Sequence, residues 1–88
     1  MTAEDVKTVL HCAYKPLVLA ALSYVNLTDK EFDTLVLRHM RGHTQEEVAE
    51  EMDRSVNTIQ NWERAALDKC LKAWKRMAYI RELIKIAK

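Results

Sequence analysis

Residues 44–71, TQEEVAEEMDRSVNTIQNWERAALDKCL, carry two helical patterns with only Asp53–Ser55 between them. Thr44 can cap the first, whose apolar face is Val48, Ala49 and Met52, and Glu46 and Glu47 complement the dipole in its first turn. Ser55 can cap the second, on which Ile59, Trp62, Ala66 and Cys70 gather on one side at about 100° per residue. Two helices joined by so short a turn form a helix-turn-helix, a motif that leaves little freedom to the rest of a small fold.

The remainder of the chain agrees with an all-α class. Its 88 residues contain one Gly and one Pro, and no alternating runs bounded by turn signals of the kind a sheet needs. Thr2 with Asp5, and Thr28 with Glu31, have capping-box spacing. Val6, Leu10, Ala13, Leu17, Ala20 and Tyr24 form an N-terminal stripe, which Pro16 should kink or break near Tyr14–Lys15. Phe32, Leu35, Val36 and Met40 are expected to face inward from the helix after Thr28, and Gly42 to end it in a left-handed cap. From Val56 to Lys88 there is no breaker, so one long helix is expected. Ala66, Cys70, Ala73, Met77, Ile80, Ile84 and Ala87 form a seam along it, which either packs on the N-terminal helix or pairs with its copy in a second chain.

This gives a single domain over 1–88: a helical extension at 1–26, a helix-turn-helix core at 27–72 and a C-terminal extension at 73–88. The core of so small a domain is marginal unless a partner adds burial. Leu17–Leu22 is apolar all round and needs cover on more than one side. Leu17, Ala20, Tyr24, Ala73, Trp74, Met77, Ile80 and Ile84 are therefore expected to build a homodimer interface, with the C-terminal helix serving both recognition and oligomerisation.

Charge is uneven. The net +1 conceals five acidic residues and no basic one at 44–53, against nine basic and three acidic ones at 54–88. On the second helix of the motif, Asn57, Thr58, Gln60, Asn61 and Arg64 lie opposite the apolar side, so its N-terminal tip is rich in amides and free of carboxylates. Asn and Gln can bond adenine's N6 and N7, and Thr can meet a thymine methyl. Arg64 and Arg54 are placed for phosphate.

Leu27, Thr28 and Glu31, then Gly42, then Thr44, Glu47, Val48 and Ala49, then Ser55, Thr58 and Ile59 resemble region 4 of sigma-70-type factors. They are equally similar to the output domain of LuxR-type regulators, and Asn61–Trp62–Glu63 is similar to the R-W-E of phage-repressor helix-turn-helix domains. The resemblance implies that Val56, Asn57, Thr58, Gln60 and Asn61 approach bases. It also implies a phosphate contact from Thr44, and Gln45 and Ser55 are expected to join Arg54 and Arg64 in meeting phosphate. The turn departs from the family pattern of glycine then an apolar residue: Asp53 must accept the left-handed conformation, and Arg54 cannot plug the core as Val or Ile would.

The expected function is a stand-alone transcriptional regulator that binds double-stranded DNA in a sequence-specific manner as a dimer, suited in its compactness to a phage or mobile element. A second reading is a module docking on RNA polymerase, a sigma factor or a repressor through the acidic helix 44–53. A third is a DNA-packaging or architectural component. No enzyme is expected: His11–Cys12 lacks an oxyanion loop and an orienting acid, and no glycine-rich phosphate loop occurs. No cofactor or metal is expected either, because Gly42 falls between His39 and His43 and no nearby carboxylate or thiol completes a ligand set. Cys12 and Cys70 suit buried thiols in a reducing cytoplasm. Neither a signal peptide nor a membrane-spanning run is present, so no membrane partner is expected.

Overall fold

A computed structural model describes residues 1–87, the side chain of Ala87 excepted. Lys88, the last residue of the expected long helix, and Ala87 as a seam side chain lie outside the described residues. The elements are α1 (Ala3–Leu10), α2 (Lys15–Ser23), α3 (Asp29–Leu35) running into a π-helical segment (Val36–Met40), α4 (Gln45–Met52), α5 (Val56–Trp74) and α6 (Ala78–Ala87). They group into two compact units, one of residues 1–26 and 67–88, the other of residues 27–66, with α5 contributing to both.

The unit of residues 27–66 rests on capping chemistry. Thr28 and Thr44 each accept a bond from the backbone N–H three residues on. Glu31 and Glu47 each accept one in turn from the cap residue's own N–H at 2.9 Å. The box at Thr44 goes beyond the dipole effect expected there, and its two bonds from Thr44 hold the Glu47 carboxyl below the usual range. Leu37, Val48, Ala49 and Ile59 form the core, with Met52, Val56 and Trp62 packed against it.

Phe32 does not join that core: it is 36% exposed, whereas Glu31 and Thr34 are buried. The helix holds to its capping box at its start and widens at Val36–Met40, where Arg41 N–H bonds the carbonyl of Val36 and His43 N–H that of Leu37. The extra residue in the turn changes which side chains face inward, and Leu37 takes a core place. Gly42 ends the segment with φ +72°, the left-handed cap expected of it.

In the unit of residues 1–26 and 67–88, α1 supplies Val6, Val9 and Leu10, α2 supplies Val18, Ala21 and Leu22, and α6 supplies Ile80, Leu83 and Ile84. Helix α1 packs on α6. The chain breaks before Pro16, over His11–Tyr14, and Pro16 lies in the first turn of α2, where its missing N–H costs nothing. Those non-helical residues reset the phase of the stripe. Val6 and Leu10 are buried as expected, but beyond the break the buried set is Val18, Ala21, Leu22 and Val25, while Leu17, Ala20 and Tyr24 are exposed.

The single helix expected from Val56 onward is two. Lys75–Met77 leave the helix, Met77 N–H bonding the carbonyl of Trp74 at 2.9 Å, and α6 starts at Ala78. No local breaker causes this, since Lys, Arg and Met all favour helix. The cause is tertiary. Trp74 is wholly buried, with its indole N–H donating to the carbonyl of Ala21 at 2.9 Å, and the turn lets Ile80, Leu83 and Ile84 bury within their own unit. Of the residues assigned to a subunit interface, Trp74, Ile80 and Ile84 are thus consumed by the chain's own core. Ala73 and Met77 are half-buried, and Leu17, Ala20 and Tyr24 remain at the surface.

Candidate nucleic-acid interface

Helices α4 and α5 are joined by a turn with Asp53 in the left-handed region at φ 54°, ψ 52°. Asp53 N–H bonds the carbonyl of Glu50, and Arg54 N–H reaches back to that of Ala49 at 2.9 Å, so these two carbonyls in the last turn of α4 are satisfied. The Ser55 hydroxyl accepts from Thr58 N–H at 3.2 Å and starts α5. Arg54 is exposed, its guanidinium 5.8 Å from the centroid of the Trp62 ring, and Lys30 lies 5.4 Å from the same ring. Met52, Val56 and Trp62 supply the apolar packing that Arg54 cannot.

The side chains read as base contacts divide into two sets. Asn57, Gln60 and Asn61 are exposed together on the first turns of α5, with Arg64 exposed one turn on. Val56 packs on the core, and Thr58 is half-buried, its hydroxyl 3.0 Å from that of Ser55. Among the residues read as phosphate contacts, Thr44, Arg54, Ser55 and Arg64 are exposed. Gln45 differs: it is half-buried and both ends of its amide are engaged within the unit. Its Nε2–H donates to Glu63 Oε1 at 3.0 Å, and its Oε1 accepts from Gln60 Nε2–H at 3.0 Å.

Glu63 is the buried carboxylate that the wheel of α5 left unassigned. It is 7% exposed, and its carboxylate receives Arg38 Nε–H at 3.3 Å, His39 Nε2 at 2.7 Å and the Gln45 amide. The bond from His39, with help from Gln45 and the charge of Arg38, outweighs burial and holds the carboxyl down at about 2. Arg38 also donates to the carbonyl of His43 at 2.8 Å, tying down the loop before α4. The signal for this hub was present: Glu63 stands four residues after Ile59 and three before Ala66, a carboxylate on an apolar face. Its partners could not be read, because the π-helical segment decides where Arg38 and His39 point. His43, spaced i, i+4 from His39, bonds the carbonyl of Leu37 through Nδ1 at 3.2 Å.

The family model described as Sigma-70, region 4 matches residues 25–72. The chain belongs to the sigma-70 region 4 family. No match was found among curated proteins or among solved structures. The sigma-70 region 4 segment covers α3, the π-helical segment, α4 and nearly all of α5, and so contains every exposed amide of the tip. A sigma-70 region 4 module is a helix-turn-helix that binds DNA or protein, and it is non-catalytic. Among the described residues no helix is long and apolar enough to cross a membrane.

Proposed function

We propose that this chain is a sequence-specific binder of double-stranded DNA that regulates transcription in the cytoplasm, laying the N-terminal half of α5 in the major groove. The observation that carries this reading is the exposure of Asn57, Gln60 and Asn61 on one carboxylate-free tip, flanked by exposed Arg54 and Arg64. Amides there suit base edges, and the arginines, with Thr44 and Ser55, suit the phosphates on either side. One such tip reads few base pairs, so a second copy is needed for useful affinity. Leu17 on α2 and Tyr24 at its C-cap, 39% and 63% exposed, support pairing with a second copy as a homodimer.

Selection from random duplex DNA tests the reading directly, and an enriched motif with two half-sites is the expected result. Asn61→Ala should lose discrimination among sequences, Arg64→Ala should weaken all of them alike, and affinity should fall steeply with salt. No enrichment at low salt would end the proposal.

A second reading has its own support. Glu46, Glu47, Glu50 and Glu51 are all exposed on α4, an acidic face suited to a basic patch on RNA polymerase, a sigma factor or a repressor. Co-purification of polymerase subunits without any DNA shift would favour that role.

A further inference from the structure

Three side chains run in a line from the interior of residues 27–66 to the tip of α5: Glu63, Gln45 and Gln60. Each link constrains the next. Glu63 is ionised and can only accept, so Gln45 must turn its NH2 inward. The Gln45 carbonyl oxygen then faces the surface, where it can only accept, so Gln60 must turn its own NH2 toward it. An amide has two ends. Once one N–H of Gln60 is committed inward, its Oε1 and its second N–H, side by side, are what is left for a ligand. Free glutamine side chains turn over between both orientations at no cost, and this one is held in one of them.

We infer that Gln45 is a positioning residue for specificity: it fixes Gln60 with its carbonyl oxygen outward, so that Gln60 reads an exocyclic amine on a base edge. In the major groove such amines belong to adenine (N6) and cytosine (N4). Adenine is the better partner, because its N7 can also accept the second N–H of Gln60, whereas cytosine offers no such acceptor. Guanine and thymine present only acceptors at this edge, O6 with N7 and O4, and meet an outward oxygen with repulsion. The inference rests on the reading of α5 as a groove-binding helix. It adds which residue holds the reading head and which bases that head selects.

Two substitutions at position 45 make opposite demands. Gln45→Met removes both bonds and frees Gln60 to turn over, so preference at the base pair lost in Gln60→Ala should drop by about tenfold. Salt dependence should stay as in the parent protein, because no phosphate contact is touched. Gln45→Lys keeps a donor on Glu63 but offers Gln60 only a donor, so the Gln60 amide must invert and present NH2 outward. Preference should then move from adenine to guanine or thymine.

Selection from random duplexes with the full chain and these three variants reads both effects, with a thermal melt on each variant to show that it folds. Should Gln45→Met fail to fold, Gln45→Lys still decides, since its ammonium keeps Glu63 partnered. The same base selected with undiminished strength by the Gln45 variants overturns the inference while leaving DNA binding intact. So does a parent preference for guanine or thymine at the Gln60 position. No motif from the parent chain would instead bring down the groove-binding reading, and this inference with it.

Discussion

The two units of this chain are held together by different chemistry. Residues 27–66 close over a small apolar core, and a charged hub sits beside it, with one carboxylate satisfied by Arg38, His39 and Gln45. Residues 1–26 and 67–88 bury Trp74 and a set of aliphatic side chains, and the Trp74 indole donates to the carbonyl of Ala21. Apolar burial is non-directional and tolerates adjustment, whereas a buried ion cluster fixes each partner's position and titrates. The difference teaches where precision resides: the unit with the hub is the one that presents the amide tip.

Removing the centre of each unit gives the largest contrast. Trp74→Ala empties the apolar unit of its largest wholly buried side chain and removes the indole donor to the carbonyl of Ala21, which keeps the bond from Tyr24 N–H. A loss of about 3–5 kcal/mol is expected in urea unfolding, independent of pH between about 3 and 7. Gln60 and Asn61 lie in the other unit, so base preference among molecules that remain folded should be unchanged. A changed preference without a loss of stability would break the comparison.

The hub should show itself through acid. Glu63 is ionised in the folded chain down to about pH 2, while an unfolded carboxyl titrates near 4.5. Its folded value is the lower one, so its contribution is complete above about pH 4.5 and is lost as the pH falls from there toward 2. The contribution is on the order of 3 kcal/mol. Urea midpoints followed from pH 6 to 2 should fall more steeply in the parent chain than in Glu63→Gln, whose side chain does not titrate. Parallel curves would show that the hub carries no charge worth the name, and the contrast between the units would vanish.

What was legible in the sequence follows the same division. Capping boxes are local, and those at Thr2 and Thr28, the cap at Thr44 and the left-handed Gly42 were readable because each needs only a few neighbouring residues. The exposed amides of α5 were readable for the same reason, as helical phase counted from Ser55 stays true over two turns. Phase counted across a break does not. The residues at His11–Tyr14 rotated the stripe of α2 by one position, and the π-helical turn brought Leu37 into the core. The break at Lys75–Met77 has no local signal at all, because burial of Ile80, Leu83 and Ile84 elsewhere in the unit decides it. Gln45 read as a phosphate contact in a helical first turn, and only the fold shows its amide bonded at both ends, to Gln60 and Glu63.

The smallest expected effect lies at the turn, and it tests whether the precision of the hub-bearing unit extends to its hinge. Asp53 is the one non-glycine residue with positive φ among the described residues. A left-handed conformation costs an L-residue about 1–2 kcal/mol, less for Asp, and glycine is spared it. Glycine in exchange gives up more freedom on folding, about 0.5–1 kcal/mol. The two terms nearly cancel, so Asp53→Gly should move stability by no more than about 0.5 kcal/mol in either direction. Asp53→Val, whose branched side chain resists this region, should lose at least about 1 kcal/mol. Urea midpoints at neutral pH distinguish them. If Asp53→Gly loses as much as Asp53→Val, the aspartate side chain itself holds the turn, and the hinge belongs with the charged hub and not with the backbone.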